Sequence, residues 1–332
     1  MPPSKPSRTS KSKPGQSSAK PALKPRQHTP SAFEKAMQEM RHSPNAFPNV
    51  SVRWLIAATA ITLLGIAVCA WLTLCLLYWQ GSWQLLYHPK AAITRTPASV
   101  GLAYEPIRFA VTETGQTQLT GWWLPNPEAR FTVLYLHGTD GNLSDTVDAL
   151  AALHNAGLSV FAIDYRGYGQ SQPAHPSEKH LRQDVEWALT WLTQTHQIPA
   201  KNIVVYGSGL GANLAAELAA DHSELAGIIL DQPQQDAMTP VFNDPRSRLV
   251  PAHLLVKDRY ELSAAARLIR IPSLWLLSKN TDRDAGKNKT WDTPVGPAYG
   301  FVHGPKMEVW IVPPAIADPH FQETLRRWLD EL

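Results

Sequence analysis

The sequence is poor in cysteine: only Cys69 and Cys75 occur among 332 residues, and both lie in one apolar stretch. The chain that follows this stretch contains none, which excludes disulfide bonds, cysteine metal ligands and a thiol nucleophile there. The scarcity does not identify the compartment, because disulfides are optional outside the cytoplasm. The sequence also lacks the H-E-x-x-H, paired-cysteine and EF-hand patterns, so we expect no metal and no other cofactor.

The chain also lacks a large net charge, since its formal net charge is only +3. A charge this small argues against a nucleic-acid partner. The basic excess is local: residues 1–30 contain seven Lys and Arg residues and no Asp or Glu. A stretch so rich in Pro, Ser and Lys cannot bury a core, so we predict a disordered basic tail over residues 1–50. This tail is either simply solvated or in contact with anionic lipid headgroups.

Charge is absent altogether from the 25 residues between Trp54 and Tyr78. At about 1.5 Å per residue, a helix of this length covers a bilayer core of about 30 Å. Trp79, Trp83 and Tyr87 follow, as in an interfacial aromatic belt. The sequence therefore predicts a transmembrane helix over residues 54–79, with the membrane bilayer as a partner.

Two other interpretations of this stretch are a buried helix of a soluble protein and a cleaved signal peptide. The sequence Val68-Cys69-Ala70 resembles a cleavage site, but the apolar run continues past it and is too long for a signal peptide. Basic residues are concentrated before the span. The positive-inside rule therefore predicts a single-pass protein with a cytoplasmic N-terminus and an extracytoplasmic C-terminal domain.

After a linker over residues 80–97, the pattern predicts one domain over residues 98–332. Its first two strands read as an antiparallel pair, and short apolar strands then alternate with amphipathic helices. This alternation predicts an α/β fold with a mostly parallel sheet flanked by helices. Functional sites in such sheets form at the carboxyl ends of the strands.

The most informative motif is a nucleophile elbow without its nucleophile. The run Ile203–Tyr206 reads as a buried strand, followed by Gly207-Ser208-Gly209-Leu210-Gly211 and a helix. A G-x-S-x-G motif in this context places a catalytic serine on a strained strand-to-helix turn. Here the middle position is Gly209, and the serine stands one residue early, at Ser208.

Several motifs in this order resemble the membrane-anchored branch of the α/β-hydrolase superfamily, relatives of serine aminopeptidases and acyl thioesterases. The match extends through nearly all of the chain after the span. Its pieces are Leu85–Pro89, Leu136-His137-Gly138-Thr139-Asp140-Gly141-Asn142, Asp164–Ser171, Gly207–Gly211 and the apolar run from Ile271 that precedes Asp282. The resemblance implies an α/β-hydrolase fold after a single transmembrane helix.

The resemblance also implies site roles. The backbone N–H groups of Thr139 and Leu210 are the expected oxyanion donors. Asp282 fits the offset of the triad acid, with Asp284 and Asp231 as alternatives.

The triad histidine should follow the last strand. There the family spacing falls nearer Ala317 than His320, so His320 is either the triad base or a surface residue at a helix start.

Three functions remain open from the sequence. The first is a degenerate serine hydrolase, or pseudoenzyme, in which Gly209 impairs Ser-His-Asp hydrolysis of esters, thioesters or amides. The second is an active esterase- or peptidase-like serine hydrolase that uses Ser208 or a displaced group. The third is a non-catalytic membrane scaffold or ligand-binding protein, with a small-molecule ester, a lipid or a peptide as ligand.

Overall fold

The computed structural model describes residues 31–41, 50–111, 115–278, 295 and 297–332. The chain divides into two compact units, Met1–Ile66 and Ala67–Leu332. The helices of the described residues are α1 (Ala32–Arg41), α2 (Val52–Gly81), α3 (Val147–Asn155), α4 (Glu178–Thr190), α5 (Leu210–Asp221), α6 (Thr239–Phe242), α7 (Ala252–Leu255), α8 (Leu262–Ala266), α9 (Ala298–Phe301) and α10 (Phe321–Asp330). The strands are β1 (His88–Pro89), β2 (Glu105–Val111), β3 (Thr117–Leu124), β4 (Thr132–Leu136), β5 (Asp140–Gly141), β6 (Ser159–Asp164), β7 (Ile203–Ser208), β8 (Gly227–Asp231), β9 (Ser273–Ser278) and β10 (Lys306–Ile311).

In the first unit, α1 occupies part of the range predicted as a disordered tail. Its start is a capping box, in which the Ser31 hydroxyl accepts from the Glu34 N–H at 3.2 Å. The Glu34 carboxylate in turn accepts from the Ser31 N–H at 3.0 Å. These two bonds satisfy N–H groups that a helix start otherwise leaves unpaired. The structure therefore differs from the sequence prediction over Ala32–Arg41.

Helix α2 contains the long apolar stretch and is 30 residues long. Among the described residues, one helical segment, Val52–Leu85, is long and apolar enough to cross a bilayer, with a mean hydropathy of 2.4, and it contains α2. Only 6% of its most apolar window is buried against protein. A helix that is apolar on all sides and unburied is typical of a membrane span.

The second unit is built on an eight-stranded sheet with the order β10-β9-β8-β7-β4-β6-β3-β2. The strands from β10 through β6 run parallel, whereas β3 is antiparallel to both β6 and β2. All residues of β4, β6 and β8 are buried. Strands buried on both faces read as continuous apolar runs, which is why the sequence predicts them well.

Alternate residues of these strands supply two separate cores. On one face Val133, Val204 and Tyr206 pack with residues of α3 and α10. On the other face Leu134 and Val205 pack with residues of α4, α5, α8 and the end of α2. The helices therefore cover both faces of the sheet, as the alternating sequence pattern predicts.

The predicted linker over residues 80–97 is not a free connection. Leu86 and Tyr87 are buried in the core of the second unit. Strand β1 pairs in parallel with β5, and this pairing holds the segment against the loop that follows β4. Of the aromatic residues predicted to lie at a membrane interface, Tyr87 is thus a core residue of this unit.

Candidate active site

The candidate site is centred on the turn between β7 and α5, which Gly209 forms alone. Gly209 has φ of 57° and ψ of −120°. This left-handed conformation strains residues that carry a side chain, but glycine adopts it readily. The Gly209 N–H donates to the Asp231 carbonyl at 2.8 Å, which fixes the turn beside the end of β8.

Two flanking glycines allow the strand and helix to approach closely at this turn. A Cβ atom at Gly207 would lie 2.1 Å from the Gly211 carbonyl oxygen. A Cβ atom at Gly211 would lie 2.2 Å from the Leu136 carbonyl oxygen. Backbone atoms cause both clashes, so neither position accepts a side chain without a shift of the main chain.

The apex itself has room for a side chain. The nearest atoms to a Cβ built at Gly209 are Gln234 Nε2 and Gly138 Cα, both at 3.9 Å. These distances are ordinary van der Waals contacts. The turn therefore has space for a side chain, which Gly209 does not supply.

Ser208 points away from the apex. It ends β7 two residues after Tyr206, so the two side chains lie on the same face of the sheet. The Ser208 hydroxyl donates to Asp231 Oδ2 at 3.4 Å, and the Tyr206 hydroxyl donates to the same oxygen at 2.9 Å. Burial raises the pKa of the Asp231 carboxyl, and the hydrogen bonds from Tyr206, Gln232 and Ser208 oppose that rise. Ser208 thus belongs to a polar cluster at the strand end.

The two predicted oxyanion donors lie on segments next to the apex. Among the described residues, neither the Thr139 N–H nor the Leu210 N–H has a hydrogen-bond acceptor. Leu210 is the first residue of α5, where an N–H has no partner within the helix. The Thr139 carbonyl accepts from the His88 N–H at 3.0 Å and from the Tyr168 hydroxyl at 2.9 Å, which fixes the loop.

His137 and Asp164 form a buried pair beneath this loop. His137 Nδ1 donates to the Gly138 carbonyl at 2.8 Å, and His137 Nε2 lies 3.6 Å from Asp164 Oδ1. Burial lowers the pKa of His137 to about 4 and raises the pKa of Asp164 to about 7. Asp164 also accepts from the Leu143 N–H at 3.0 Å. The pair lies under the loop that follows β4 and contacts it at Gly138 and Leu143.

The remaining triad candidates are not assembled around Gly209. Asp282 and Asp284 lie outside the described residues, so their predicted role stays a prediction. His320 precedes α10 and is exposed, and its N–H donates to Asp318 Oδ1 at 2.9 Å. Within the described part of the chain, no hydrogen bond or ion pair involves the His320 imidazole. Asp231 is the one acid candidate placed at the elbow, and it contacts Ser208.

Sequence reasoning missed Asn213, which is buried on α5. Its amide donates to the carbonyls of Gln234 and Tyr260 at 2.8 and 3.1 Å, and its oxygen accepts from the Gln234 N–H at 2.9 Å. These bonds hold Gln234 beside the space above Gly209. An asparagine within an alanine- and leucine-rich helix is the signal that could have identified it.

In the part of the chain that the structure describes, no group of three His, Cys, Asp or Glu side chains could hold a metal ion.

Comparisons with known proteins agree with the fold. The family model described as serine aminopeptidase, S33, matches residues 127–278. An uncharacterized protein of Mycobacterium tuberculosis is 31% identical over 57% of this chain and 61% of its own length. Human alpha/beta hydrolase domain-containing protein 17B is 33% identical over 36% of this chain and 42% of its own length. Protein bem46 of Schizosaccharomyces pombe is 35% identical over 41% of this chain and 46% of its own length.

A solved structure shows the same fold. The Pyrococcus furiosus esterase PF2001 aligns with a TM-score of 0.55 at 18% identity. The alignment covers 74% of this chain and 97% of the esterase. The matches to the curated relatives named above span between about two fifths and three fifths of those proteins' lengths.

Proposed function

The chain belongs to the α/β-hydrolase superfamily, and from this premise we propose that it is a membrane-anchored member, descended from serine ester, thioester or amide hydrolases, whose Ser-His-Asp hydrolysis is impaired. The observation that supports the proposal is the turn at Gly209. The conformation, the flanking glycines and the space for a side chain are all those of a nucleophile elbow. Glycine supplies no oxygen to attack a carbonyl.

The loss of the nucleophile has an expected effect on the rate of hydrolysis. Without its nucleophile, a serine hydrolase retains only substrate binding and the oxyanion hole. Together these accelerate hydrolysis by about 10³–10⁴-fold over the reaction in water. Both proposed oxyanion donors, Thr139 and Leu210, are backbone N–H groups, and they do not depend on the side chain at position 209. The site therefore retains the means to bind a carbonyl group while lacking the group that attacks it.

A fluorophosphonate probe, which reacts with activated serines, tests the proposal on the full chain in detergent. The variant Gly209→Ser restores the missing hydroxyl, and Gly209→Ala is its matched control, with the same Cβ and no oxygen. We expect no label on the natural chain or on Gly209→Ala, and label at position 209 of Gly209→Ser, as read by peptide mass spectrometry. Label at Ser208 of the natural chain would refute the proposal.

An active hydrolase that uses Ser208 is the second candidate, favoured by the 3.4 Å contact between its hydroxyl and Asp231 Oδ2. A raised carboxyl pKa makes Asp231 a better proton acceptor than an exposed aspartate. Hydrolysis of an aryl ester that disappears in Ser208→Ala would establish this function. Activity that survives Ser208→Ala would exclude it.

We propose that α2 is the membrane anchor, with the N-terminus in the cytoplasm and the α/β-hydrolase domain on the other side of the membrane. The ligand of the site is then an ester, a lipid or a peptide on the outer side. In sealed vesicles with the cytoplasmic face outward, protease should remove the tail and spare the domain. Release of the chain by alkaline carbonate would contradict the anchor, and digestion of the domain would contradict the orientation.

A further inference from the structure

The segment between β8 and β9 contacts the last turns of α2. We define the cap segment as residues 241–256, which include α7. The Tyr78 hydroxyl donates to the Val241 carbonyl at 2.8 Å, and this bond is buried. Trp71 Nε1 donates to the Leu249 carbonyl at 2.9 Å. Both contacts lie within the second unit.

These two contacts set how far the cap segment extends along the helix. Trp71 and Tyr78 are seven residues apart, which corresponds to about 10 Å along a helix axis. Tyr78 lies at the end of the continuous apolar run, two residues before Gln80. From Val241 to Leu249, the cap segment therefore runs along α2 toward the start of that helix. Leu249 lies level with Trp71, about 10 Å before Tyr78 along the helix axis.

The outer surface of the cap segment is apolar at this level. Leu249 is 61% exposed and Leu254 is 81% exposed. On α2, Leu72 and Leu76 are more than half exposed, whereas Cys75 is buried in the core. The end of α2 thus has one side against the domain and another side uncovered. The exposed leucines of the cap segment continue this uncovered apolar surface.

The charges of the cap segment suit a lipid headgroup region. Arg246 and Arg248 are exposed and lie between Val241 and Leu249. Arg246 is paired with Asp244 at 2.8 Å, which leaves Arg248 as the cation next to Leu249. Long basic side chains beside buried apolar residues extend their charged ends to the membrane surface. A basic and leucine-bearing surface of this kind is typical of segments that lie in a bilayer interface.

We propose that the cap segment docks into the same bilayer that α2 spans, with Leu249 and Leu254 buried at the boundary between headgroups and acyl chains. The partner is the lipid bilayer. The proposal rests on the membrane anchor proposed above, because an unanchored helix end would place Leu249 in water.

Fluorescence depth measurements test the docking on the full chain reconstituted in phosphatidylcholine and phosphatidylglycerol vesicles. An environment-sensitive thiol dye is attached at Leu254→Cys in a Cys69→Ala, Cys75→Ala background. Leu76→Cys is the lipid reference, and Arg326→Cys is the water reference, because α10 packs on the opposite face of the sheet. The chain has no other cysteine, so each variant has one dye.

We expect the dye at position 254 to show blue-shifted emission, loss of iodide quenching and strong quenching by spin-labelled lipid, as at position 76. Iodide quenching equal to that at position 326 would overturn the proposal. Protection from iodide without quenching by spin-labelled lipid would also overturn it, because the site would then be covered by protein.

A second measurement avoids the cysteine substitutions. A photoreactive phenylalanine at position 254 of the natural chain should form lipid adducts on irradiation, whereas the same group at position 326 should not. Flotation of the vesicles checks the anchor separately. Floating chain without adducts at position 254 would refute the docking and leave the anchor intact, and neither result depends on whether Gly209→Ser reacts with the probe.

Discussion

Two glycines of the elbow, Gly209 and Gly211, give predictions of different size for the same chemical change, the addition of one methyl group. In Gly211→Ala the new Cβ would lie 2.2 Å from the Leu136 carbonyl oxygen and 2.6 Å from that of His137. Both are backbone atoms of the strand end and loop beneath the helix. Overpacking costs about 1–3 kcal/mol where side chains can adjust, and more where they cannot. We therefore expect a loss of at least about 3 kcal/mol in the free energy of unfolding.

In Gly209→Ala the new Cβ meets no atom closer than 3.9 Å. The cost is then only the conformational strain at φ of 57°, about 1–3 kcal/mol for a residue with a side chain. The two variants are matched, because both add one methyl group and both lie at the same turn. The expected difference between them is the steric cost at position 211 minus the conformational strain at position 209.

Thermal unfolding of the full chain in detergent measures this difference. For a domain of this size, 1 kcal/mol shifts the Tm by about 2–4 °C. Gly211→Ala should therefore lower the Tm by about 6 °C or more, and Gly209→Ala should lower it clearly less. Equal losses in the two variants would refute the reasoning, since they would show that the space above Gly209 is not available to a side chain.

Three further predictions concern the scaffold. Burial raises the pKa of Asp164 to about 7 and of Glu217 to about 8, so the folded chain retains protons that the unfolded chain releases. Their contribution is fully present below about pH 4 and is lost as the pH rises through these values. The urea midpoint should therefore fall between pH 6.5 and 8, and a rise would contradict the assignment. Asp184→Asn leaves the partly buried Arg166 guanidinium without its 2.6 Å carboxylate partner and should cost about 3–5 kcal/mol in urea unfolding; an unchanged midpoint would show that the pair is dispensable. Asn213→Ala removes three hydrogen bonds to backbone groups and should cost about 1–3 kcal/mol, with faster proteolysis near Gln234; unchanged proteolysis would show that other contacts hold this segment.

The sheet could be predicted because its central strands are continuous apolar runs. Strands buried on both faces, such as β4 and β8, read as short continuous apolar runs. The antiparallel pair β2 and β3 is likewise confirmed. Its position at the sheet edge follows from strand pairing, which local sequence does not encode.

The region after α2 was harder to predict, for a physical reason. Leu86 and Tyr87 are apolar or aromatic, and such residues suit both a membrane interface and a protein core. Only their contacts with distant residues decide between the two. The Tyr87 hydroxyl lies 2.6 Å from that of Tyr260, 173 positions away in the sequence. Sequence reasoning therefore assigned to a linker what the structure places in the core.

At the site, the sequence predicted the turn but not its surroundings. The spacing of Gly207, Gly209 and Gly211 was enough to identify the strand-to-helix turn. The contact between Ser208 and Asp231 depends on the register of β7 against β8, which pairs these two residues. Register between parallel strands is set by the whole sheet, so no local motif reveals it. The roles of Asp282 and His320 stay predictions.

The same register places the Ser208 hydroxyl away from the apex of the turn. Side chains alternate across a strand, so moving the hydroxyl from position 209 to 208 transfers it from the apex to the sheet face of Tyr206. There it meets Asp231 instead of the N–H groups of Thr139 and Leu210. Bringing Ser208 to the apex would require the strand to slip by one residue. That slip would move every buried side chain of β7 to the opposite face of the sheet. Placing Ser208 at the apex in this way would therefore disrupt the packing of the core.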